Sequence, residues 1–164
     1  MVDLLRLDER LIHGQVAASW CKALPSDTLL VVDDESANND FLTKTLYMAA
    51  PKNMKTFVMT NEKALEVLND PRCQTRHIFV VVRSIETFLN MAKNAADVQE
   101  LQVSNYGRMA GSTGKERKSY AGNLFLDEDE AAKLKTVLET GIPCYMQMTP
   151  ETPKKKLEDL LKNA

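Results

Sequence analysis

The stretch His77-Ile78-Phe79-Val80-Val81-Val82 decides the fold, because it is a short, continuously apolar run of β-branched and aromatic residues. Successive side chains of a strand point to opposite faces, so a strand of this composition must be covered on both sides. A central strand of a parallel sheet has that environment. Thr28–Val32 has the same character, and it predicts a second buried parallel strand.

Strand-like runs alternate with helical patterns on both sides of this stretch. The predicted strands are Val2–Leu7, Thr28–Val32, Lys55–Thr60, His77–Val82, Leu101–Ser104, Tyr120–Leu126 and Ile142–Met148. The predicted helices are Gln15–Leu24, Asn39–Ala50, Asn61–Asn69, one capped by Ser84, one opened by an Asp127/Glu130 capping box and closed at Gly141, and a last one opened by Thr152-Pro153. This alternation predicts an α/β fold: an open, mainly parallel seven-stranded sheet with helices on both faces. With no linker or repeat, residues 1–164 are expected to form one domain.

Composition narrows the classes of protein. Hydrophobic residues make up 44% of the 164 residues and charged residues 27%, which is typical of a soluble globular protein. The net charge of -2 does not favour nucleic acid as a partner. No apolar run approaches the roughly 18–20 residues of a membrane span. Three scattered cysteines indicate reduced thiols and a cytoplasmic location, and no residue cluster has the spacing of a metal site.

The stretch Arg6-Leu-Asp8-Glu-Arg10-Leu-Ile-His13-Gly14-Gln15-Val16 lies where the first strand gives way to the first helix. Ligands of open α/β sheets bind beyond the carboxyl ends of the strands, and helix N–H groups hold anions there. The same field disfavours the protonated imidazolium, and a neutral imidazole has a free lone pair that can attack phosphorus. We therefore interpret His13 as a nucleophile that carries a phosphoryl group. The plain alternative is that His13 packs against the sheet.

Three neighbours of His13 are expected to bind the phosphate. Arg10 can offer a planar fork to two oxygens, and Gly14 and Gln15 open the helix whose N–H groups face the anion. Asp8 is assigned to the catalytic group with two possible roles: it orients Arg10, or it holds one tautomer of His13. It could also be a turn-forming residue without a chemical role.

Other signals are weaker. Gly111-Ser-Thr-Gly114-Lys115 lacks the first glycine of a phosphate loop, and Glu116 replaces its magnesium-binding hydroxyl, so no nucleotide is expected. His77 is interpreted as a buried, structural residue, and Lys154–Lys156 as a solvated helix face. The glycine-rich, charged segment Asn105–Lys118 predicts a loop. Its cations form either a mobile basic loop near the phosphate or a solvated turn; they are Arg108, Lys115, Arg117 and Lys118.

The chain resembles the IIB subunits of the bacterial phosphotransferase system, in the mannose/fructose/sorbose family. The residues 6–16 carry most of the resemblance, together with Trp20 downstream. It continues through Val31-Val32-Asp33-Asp34, Lys44-Thr45-Leu46, Ala50-Pro51, Val103–Met109, Gly141-Ile-Pro and Thr149-Pro150. The resemblance covers essentially the whole chain, although Ser104-Asn105-Tyr106-Gly107 departs from the usual Asn-Val-Gly spacing.

The resemblance implies a cytosolic phosphotransferase component without metal or cofactor, phosphorylated on His13 and assisted by Arg10. It also implies a separate IIA protein as phosphodonor and a sugar as acceptor. The chain is expected to associate peripherally with the membrane subunits IIC and IID. The Asn-Tyr-Gly loop and Cys144–Gln147 look closer to hexosamine-type members, which suggests N-acetylgalactosamine. Members of the family are often dimeric.

The resemblance also assigns roles to surfaces around the motif. The loop residues Asn105, Tyr106, Gly107 and Arg108 are expected to form the rim of the site. Recognition of IIA is expected on the surface around Leu11, Ile12 and the Tyr106–Lys118 loop.

Two rival functions are considered. Ile12-His13-Gly14 is similar to the Arg-His-Gly turn of histidine phosphatases, which need a second active-site histidine. His77 is the one other histidine in the chain. The second rival is a binding module without catalysis.

Overall fold

The computed structural model describes residues 1–111 and 113–162, and the side chains of Gln15 and Val16 lie outside that description. The strands are β1 (Val2–Leu7), β2 (Thr28–Val32), β3 (Lys55–Met59), β4 (Ile78–Val82), β5 (Leu101–Val103), β6 (Lys118–Ala121), β7 (Leu124–Leu126), β8 (Cys144–Met146) and β9 (Lys155–Lys156). The helices are α1 (Gly14–Ala23), α2 (Asp34–Ala37), α3 (Asp40–Ala49), α4 (Asn61–Leu68), α5 (Ile85–Asn94), α6 (Glu128–Leu138) and α7 (Leu157–Lys162). The main sheet has seven strands in the order β3-β2-β4-β1-β5-β8-β9, and all but β9 run parallel.

Strand β4 lies inside the sheet between β2 and β1, as its apolar sequence predicts. All five of its residues are buried, and they alternate between two apolar clusters. Val80 and Val82 pack toward the layer of α4, α5, α6 and α7, whereas Phe79 and Val81 pack toward α1 and α3. The α/β fold with helices on both faces is therefore confirmed.

The predicted sixth strand is wrong in detail. Tyr120–Leu126 is divided by a turn at Gly122-Asn123, and its two parts belong to an antiparallel pair, β6 and β7, in a separate two-stranded sheet. A two-residue Gly-Asn connection between two strand-like runs is a hairpin signal.

The seventh strand of the main sheet is instead β9, which pairs antiparallel with β8. We predicted this segment as the start of the last helix at Thr152-Pro153 and as a solvated helix face at Lys154–Lys156, and both expectations are corrected. The helix begins at Leu157, and the exposed lysines before it protect the sheet edge. After β2 the chain forms the short helix α2, and the side chain of Asp33 caps it by accepting the N–H of Ser36.

The remaining helix starts agree with their sequence signals. The side chains of Asn39 and Ser84 cap α3 and α5, and the Asp127/Glu130 capping box at α6 forms both of its reciprocal hydrogen bonds. Gly141, predicted at the end of that helix, has a φ of 76°, which favours glycine.

The topology creates a crevice at the carboxyl ends of β1 and β4. These strands are neighbours, but α1, which follows β1, packs on one face of the sheet, and α5, which follows β4, packs on the other. Where the connections after two adjacent strands leave to opposite faces of the sheet, the fold has a topological switch point, and ligands of open α/β sheets bind there. The loop that contains His13 therefore emerges at this point.

Candidate functional site

The connection from β1 to α1 is a tight, partly strained turn. The N–H of Asp8 donates to the carbonyl of Val82, and the N–H of Leu11 donates back to the carbonyl of Asp8. Leu11 has a φ of 55°, which is costly for a branched residue, while burial of its side chain in the α1 layer holds the turn in place. The turn delivers His13 to the N-cap position of α1.

His13 does not use its ring to cap the helix. Its backbone is extended, and no hydrogen bond from the side chain reaches the first turn. Instead, its Nε2 lies 2.9 Å from Oδ2 of Asp8. The side chain of His13 is 15% exposed, and that of Asp8 is 1% exposed. The ring of His13 is therefore partly buried but reachable from solvent, whereas Asp8 is buried beneath it.

Asp8 is held as an ionised acceptor. Its carboxylate also accepts from the backbone N–H of Arg10 at 3.0 Å and from Nδ2 of Asn105 at 3.3 Å. Burial would raise the pKa of Asp8, but the hydrogen bonds from His13 and Arg10 and the charge of Arg6 outweigh burial and leave the pKa below its ordinary value. An ionised carboxylate can only accept, so it fixes the proton of a neutral imidazole on Nε2.

Nδ1 is then the ring nitrogen with the free lone pair. Within the described part of the chain, no hydrogen-bond partner contacts it. Among the alternatives for Asp8, the contact supports holding the His13 tautomer, and the N–H of Arg10 shows that Asp8 also shapes the turn. Direct contact with the Arg10 guanidinium is not seen among the described residues.

The expected phosphate-binding residues lie around this pair. Arg10 is exposed, and its guanidinium has no hydrogen bond or ion pair with the residues that the structure describes. Gly14 is exposed, with a φ of 46° and open space where a Cβ would stand. The side chain of Gln15 lies outside the described residues. The backbone at Gly14, the first residue of α1, is therefore open, and the described residues do not engage the guanidinium of Arg10.

The loop after β5 approaches the site from the other side. Asn105 contacts Asp8, as described above, whereas Tyr106 is buried and Arg108 points to the β6–β7 hairpin. Gly107 has a φ of 98°, and a Cβ there would overlap the carbonyl of Phe125. Of the four expected rim residues, the structure therefore brings the side chain of Asn105 into the His13–Asp8 network and directs that of Arg108 elsewhere.

The cations of this loop are engaged by the protein itself. Arg117 pairs with Glu130 at 2.8 Å, Lys115 pairs with Asp129 at 2.8 Å, and Arg108 lies over the ring of Phe125. Arg117 is therefore paired and largely buried, which does not fit a solvated turn, whereas Arg108 and Lys115 are exposed. The acidic partners of Lys115 and Arg117 both belong to α6.

Sequence reasoning missed two buried charged residues of the motif. Glu9 is 9% exposed, and its carboxylate accepts four backbone N–H groups from Gly107–Ala110. Arg6 is 2% exposed, donates to Gln102, Ser104 and two carbonyls at 2.7–2.9 Å, and stacks on Trp20. Burial lowers the pKa of Arg6 to about 10, while the charge of Asp8 opposes that shift, so the guanidinium stays charged at neutral pH.

Two expectations about surfaces are corrected. Leu11 and Ile12 are 6% and 5% exposed, because they anchor the turn in the α1 layer, so they cannot form a docking surface. His77 is not buried: its side chain is 44% exposed and bonds to Asp3 at 2.8 Å. His77 precedes β4 and therefore lies at the amino ends of the parallel strands, whereas His13 lies beyond their carboxyl ends. The two histidines therefore cannot form one phosphatase pocket.

His13 lies at the protein surface and is partly exposed. A cavity of about 530 Å³ lies beyond Glu9, among residues of the loop and of α6, but His13 is not in its lining. An exposed site suits a side chain that must meet another macromolecule. Within residues 1–111 and 113–162, no group of three or more metal-ligating side chains is found. No helix in the same ranges is long and apolar enough to cross a membrane.

The fold and the site define a class: a doubly wound α/β protein with a carboxylate-paired histidine at the switch point of its sheet. Comparison with protein families gives the identity. Residues 2–164 match the model of the sorbose-subfamily IIB component of the phosphotransferase system. The chain therefore belongs to this family of sugar-transport phosphotransferases, as its resemblance indicated.

Individual relatives agree with this assignment. The chain is 33% identical over 162 residues to a probable phosphotransferase enzyme IIB component of Streptococcus pyogenes, with 98% of this chain and 99% of the relative covered. It is 29% identical to the sorbose-specific EIIB component of Lacticaseibacillus casei, with 93% and 90% covered. The crystal structure of the N-acetylgalactosamine-specific IIB component 1 of Escherichia coli superposes with a TM-score of 0.83 at 26% identity, covering 96% and 99%.

Proposed function

We propose that the protein is a cytoplasmic phosphocarrier in which His13 accepts a phosphoryl group from a phosphohistidine of a IIA protein and passes it to a sugar. The sugar would enter through the membrane subunits IIC and IID, with which the chain associates peripherally. The single observation that carries this proposal is the His13–Asp8 pair, with one ring nitrogen tied at 2.9 Å and the other open at a helix N-terminus.

The pair supports a balanced transfer. The lone pair of Nδ1 attacks phosphorus, the N–P bond of the donor breaks, and its electron pair returns to the donor imidazole. The proton on Nε2 of His13 stays hydrogen-bonded to Asp8 throughout, so the ring needs no separate base. In the second transfer a sugar hydroxyl attacks the same phosphorus, the N–P bond to His13 breaks and its electron pair returns to Nδ1, and the hydroxyl proton passes to water. The reaction needs no metal or nucleotide.

The surroundings of His13 suit the charged group that it would carry. Arg10 is free to form a bidentate contact with two phosphoryl oxygens. Gly14 lets a phosphoryl group approach the backbone of the first turn, where Gln15 follows. These contacts stabilise the dianion without covalent bonds, as a carrier that must release its cargo requires.

The sugar is proposed from relatives and not from the geometry of His13. Relatives of similar sequence are named for sorbose and for N-acetylgalactosamine. We propose a hexose as acceptor, with N-acetylgalactosamine as the first one to test. Uptake assays with the cognate IIC and IID subunits in vesicles distinguish it from other hexoses.

Labelling with a phosphorylated IIA protein tests the carrier role. Wild-type protein should gain one acid-labile, base-stable phosphate per chain, and His13→Ala should gain none while its circular dichroism is unchanged. His77→Ala is the matched control and should be labelled like the wild type. Labelling of the His13→Ala variant would place the site elsewhere. Continuous hydrolysis of phosphate esters would favour a phosphatase, and no labelling of the wild type would favour a binding module.

A further inference from the structure

Glu9 is a buried carboxylate that the proposed transfer does not use. Its Oε2 accepts from the N–H groups of Gly107 and Ala110, both at 3.0 Å. Its Oε1 accepts from those of Arg108 at 3.1 Å and Met109 at 3.0 Å. One carboxylate thus satisfies the donors of four consecutive residues.

This arrangement fixes the backbone of Gly107–Ala110, to which Arg117 adds a hydrogen bond at the carbonyl of Ala110. Successive N–H groups that point to one centre form an anion-binding nest, and removal of the anion would leave them without partners. The backbone N–H of Glu9 also donates to the carbonyl of Asn105 at 2.9 Å. The residue next to Asp8 therefore ties the segment Gly107–Ala110 to the turn that carries His13.

Met109 combines a fixed backbone with an exposed side chain. Its N–H is fixed on Glu9, yet the residue is 69% exposed. A methionine whose backbone is fixed at the surface can supply apolar contact area to a partner, and methionine adapts well to protein surfaces. The N–H of Met109 bonds to Glu9, which follows Asp8 in the chain, so the loop that contains Met109 is tied to the turn that carries His13.

A phosphodonor has to cover this loop. The reacting atoms of a transfer must come within about 3–3.5 Å of each other. A macromolecule that brings a phosphohistidine so close to His13 must place its own surface against the neighbouring loop. The partner with access to Met109 is therefore the protein that phosphorylates His13.

We propose that Glu9 is a positioning residue that preorganises Gly107–Ala110, so that Met109 forms a fixed apolar contact for the IIA phosphodonor. This inference rests on the proposed function of His13. Preorganisation lowers the ordering cost of association, so Glu9 acts on docking and leaves the chemical step to His13 and Asp8. The matching surface of the donor is an apolar patch beside its phosphohistidine.

Steady-state transfer from a phosphorylated IIA protein, in a coupled assay, tests this. Glu9→Gln and Met109→Ala should each raise the KM for the donor by about fivefold or more, with kcat within about twofold. In Glu9→Gln the amide NH2 faces two N–H donors, so amide hydrogen exchange at Gly107–Ala110 should accelerate. In the double variant the KM should rise by much less than the product of the two single effects, because Met109 is a good contact only when its loop is fixed.

Two matched controls isolate the effect. Asp3→Asn removes another buried carboxylate, which bonds to Ser26 and His77 at the opposite sheet edge, and should leave the KM unchanged. Met48→Ala removes a methionine that is 87% exposed on α3, and should also leave it unchanged. Met109 is exposed, so its truncation tests docking even if Glu9→Gln fails to fold.

The outcomes separate this inference from the carrier role. An unchanged KM in Met109→Ala would overturn the role of Glu9 and Met109, and so would fully multiplicative effects on KM in the double variant. In both cases the carrier role would stand as long as His13 of the wild type is labelled. A wild-type protein that gains no phosphate from IIA would overturn the proposed function itself.

Discussion

The tautomer of His13 depends on one carboxylate. Replacing Asp8 by Asn removes the charge that fixes the proton on Nε2, and the amide can present either an acceptor or a donor to the ring. We expect Asp8→Asn to slow phosphoryl acceptance about tenfold or more, by analogy with other carboxylate-oriented histidines. Rapid-quench measurement of the single-turnover rate checks this, with Asp3→Asn as the control. Equal rates for Asp8→Asn and the wild type would show that Asp8 only shapes the turn.

The lowered pKa of Asp8 predicts how the stability of the protein depends on pH. Because the folded protein lowers this pKa below its ordinary value, the ionised carboxylate stabilises the fold at neutral pH. That stabilisation is lost as the pH falls through the lowered value, below about 3.9. We expect the free energy of unfolding to differ between the wild type and Asp8→Asn at pH 7, and the difference to shrink toward pH 3. Urea titrations at both pH values measure it, and a difference that grows on acidification would contradict the assignment.

A substitution at Arg10 separates the geometry of the guanidinium from its charge. Its guanidinium is exposed and unpaired among the described residues, so Arg10→Lys should leave the melting temperature unchanged. A lysine keeps the charge but loses the planar fork, so transfer should slow by about tenfold. Arg72→Lys, at an exposed arginine paired with Asp70, provides the control for the substitution itself. Wild-type rates in Arg10→Lys would exclude a bidentate contact.

Local sequence predicted some residues of the site and could not predict others. The strand-to-helix junction indicated His13, Asp8 and Arg10, because their position depends on neighbours in the chain. Glu9 left no such signal, because its partners begin 98 residues later and are backbone groups. The pairing of Arg117 could not be predicted either, because its partner Glu130 belongs to α6.

At the scale of elements, the loop from Asn105 to Arg117 is held by α6. Arg117 bonds to Glu130 and to the carbonyls of Ala110 and Gly111, and it is 15% exposed. Arg117→Ala would leave a buried carboxylate and two carbonyls without this donor, and we expect a loss of about 2–3 kcal/mol in the free energy of unfolding.

Lys115→Ala is the matched substitution in the same loop. The Lys115–Asp129 pair is exposed on both sides, so its loss should change stability by less than about 0.5 kcal/mol. Urea unfolding of both variants provides the comparison. Equal losses would mean that Arg117 does not anchor the loop.

The elements themselves show where periodicity is informative. Strands with long apolar runs, such as β2 and β4, and helices with caps, such as α6, lie close to their predicted positions. The β6–β7 hairpin was read as one strand because the residues on both sides of Gly122-Asn123 are strand-like. Strand β9 could not be seen in the sequence, because two lysines enter the sheet only through their pairing with β8.

At the scale of the whole molecule, the site is a product of topology. Alternation of strands and helices predicted the parallel sheet, but periodicity contains no strand order. The order places β1 between β4 and β5, so that the loops after β1, β4 and β5 meet. Asp8, Val82 and Asn105 are distant in sequence and in contact in space for this reason. Residues of the main strands also contribute to both apolar clusters, so the two helical layers share one sheet.

This shared sheet predicts cooperative unfolding, with Trp20 as its reporter. Trp20 is the single tryptophan of the chain, is 4% exposed, and donates from Nε1 to the carbonyl of Met148 at 3.0 Å. Its fluorescence therefore reports contact between α1 and the segment after β8, whereas far-UV circular dichroism mostly reports the helices of both layers. Loss of either layer would expose apolar strand residues that the other layer also needs, so we expect the two urea transitions to coincide in midpoint and slope. An earlier fluorescence transition would show that the α1 layer, with the His13 turn, opens independently of the rest of the sheet.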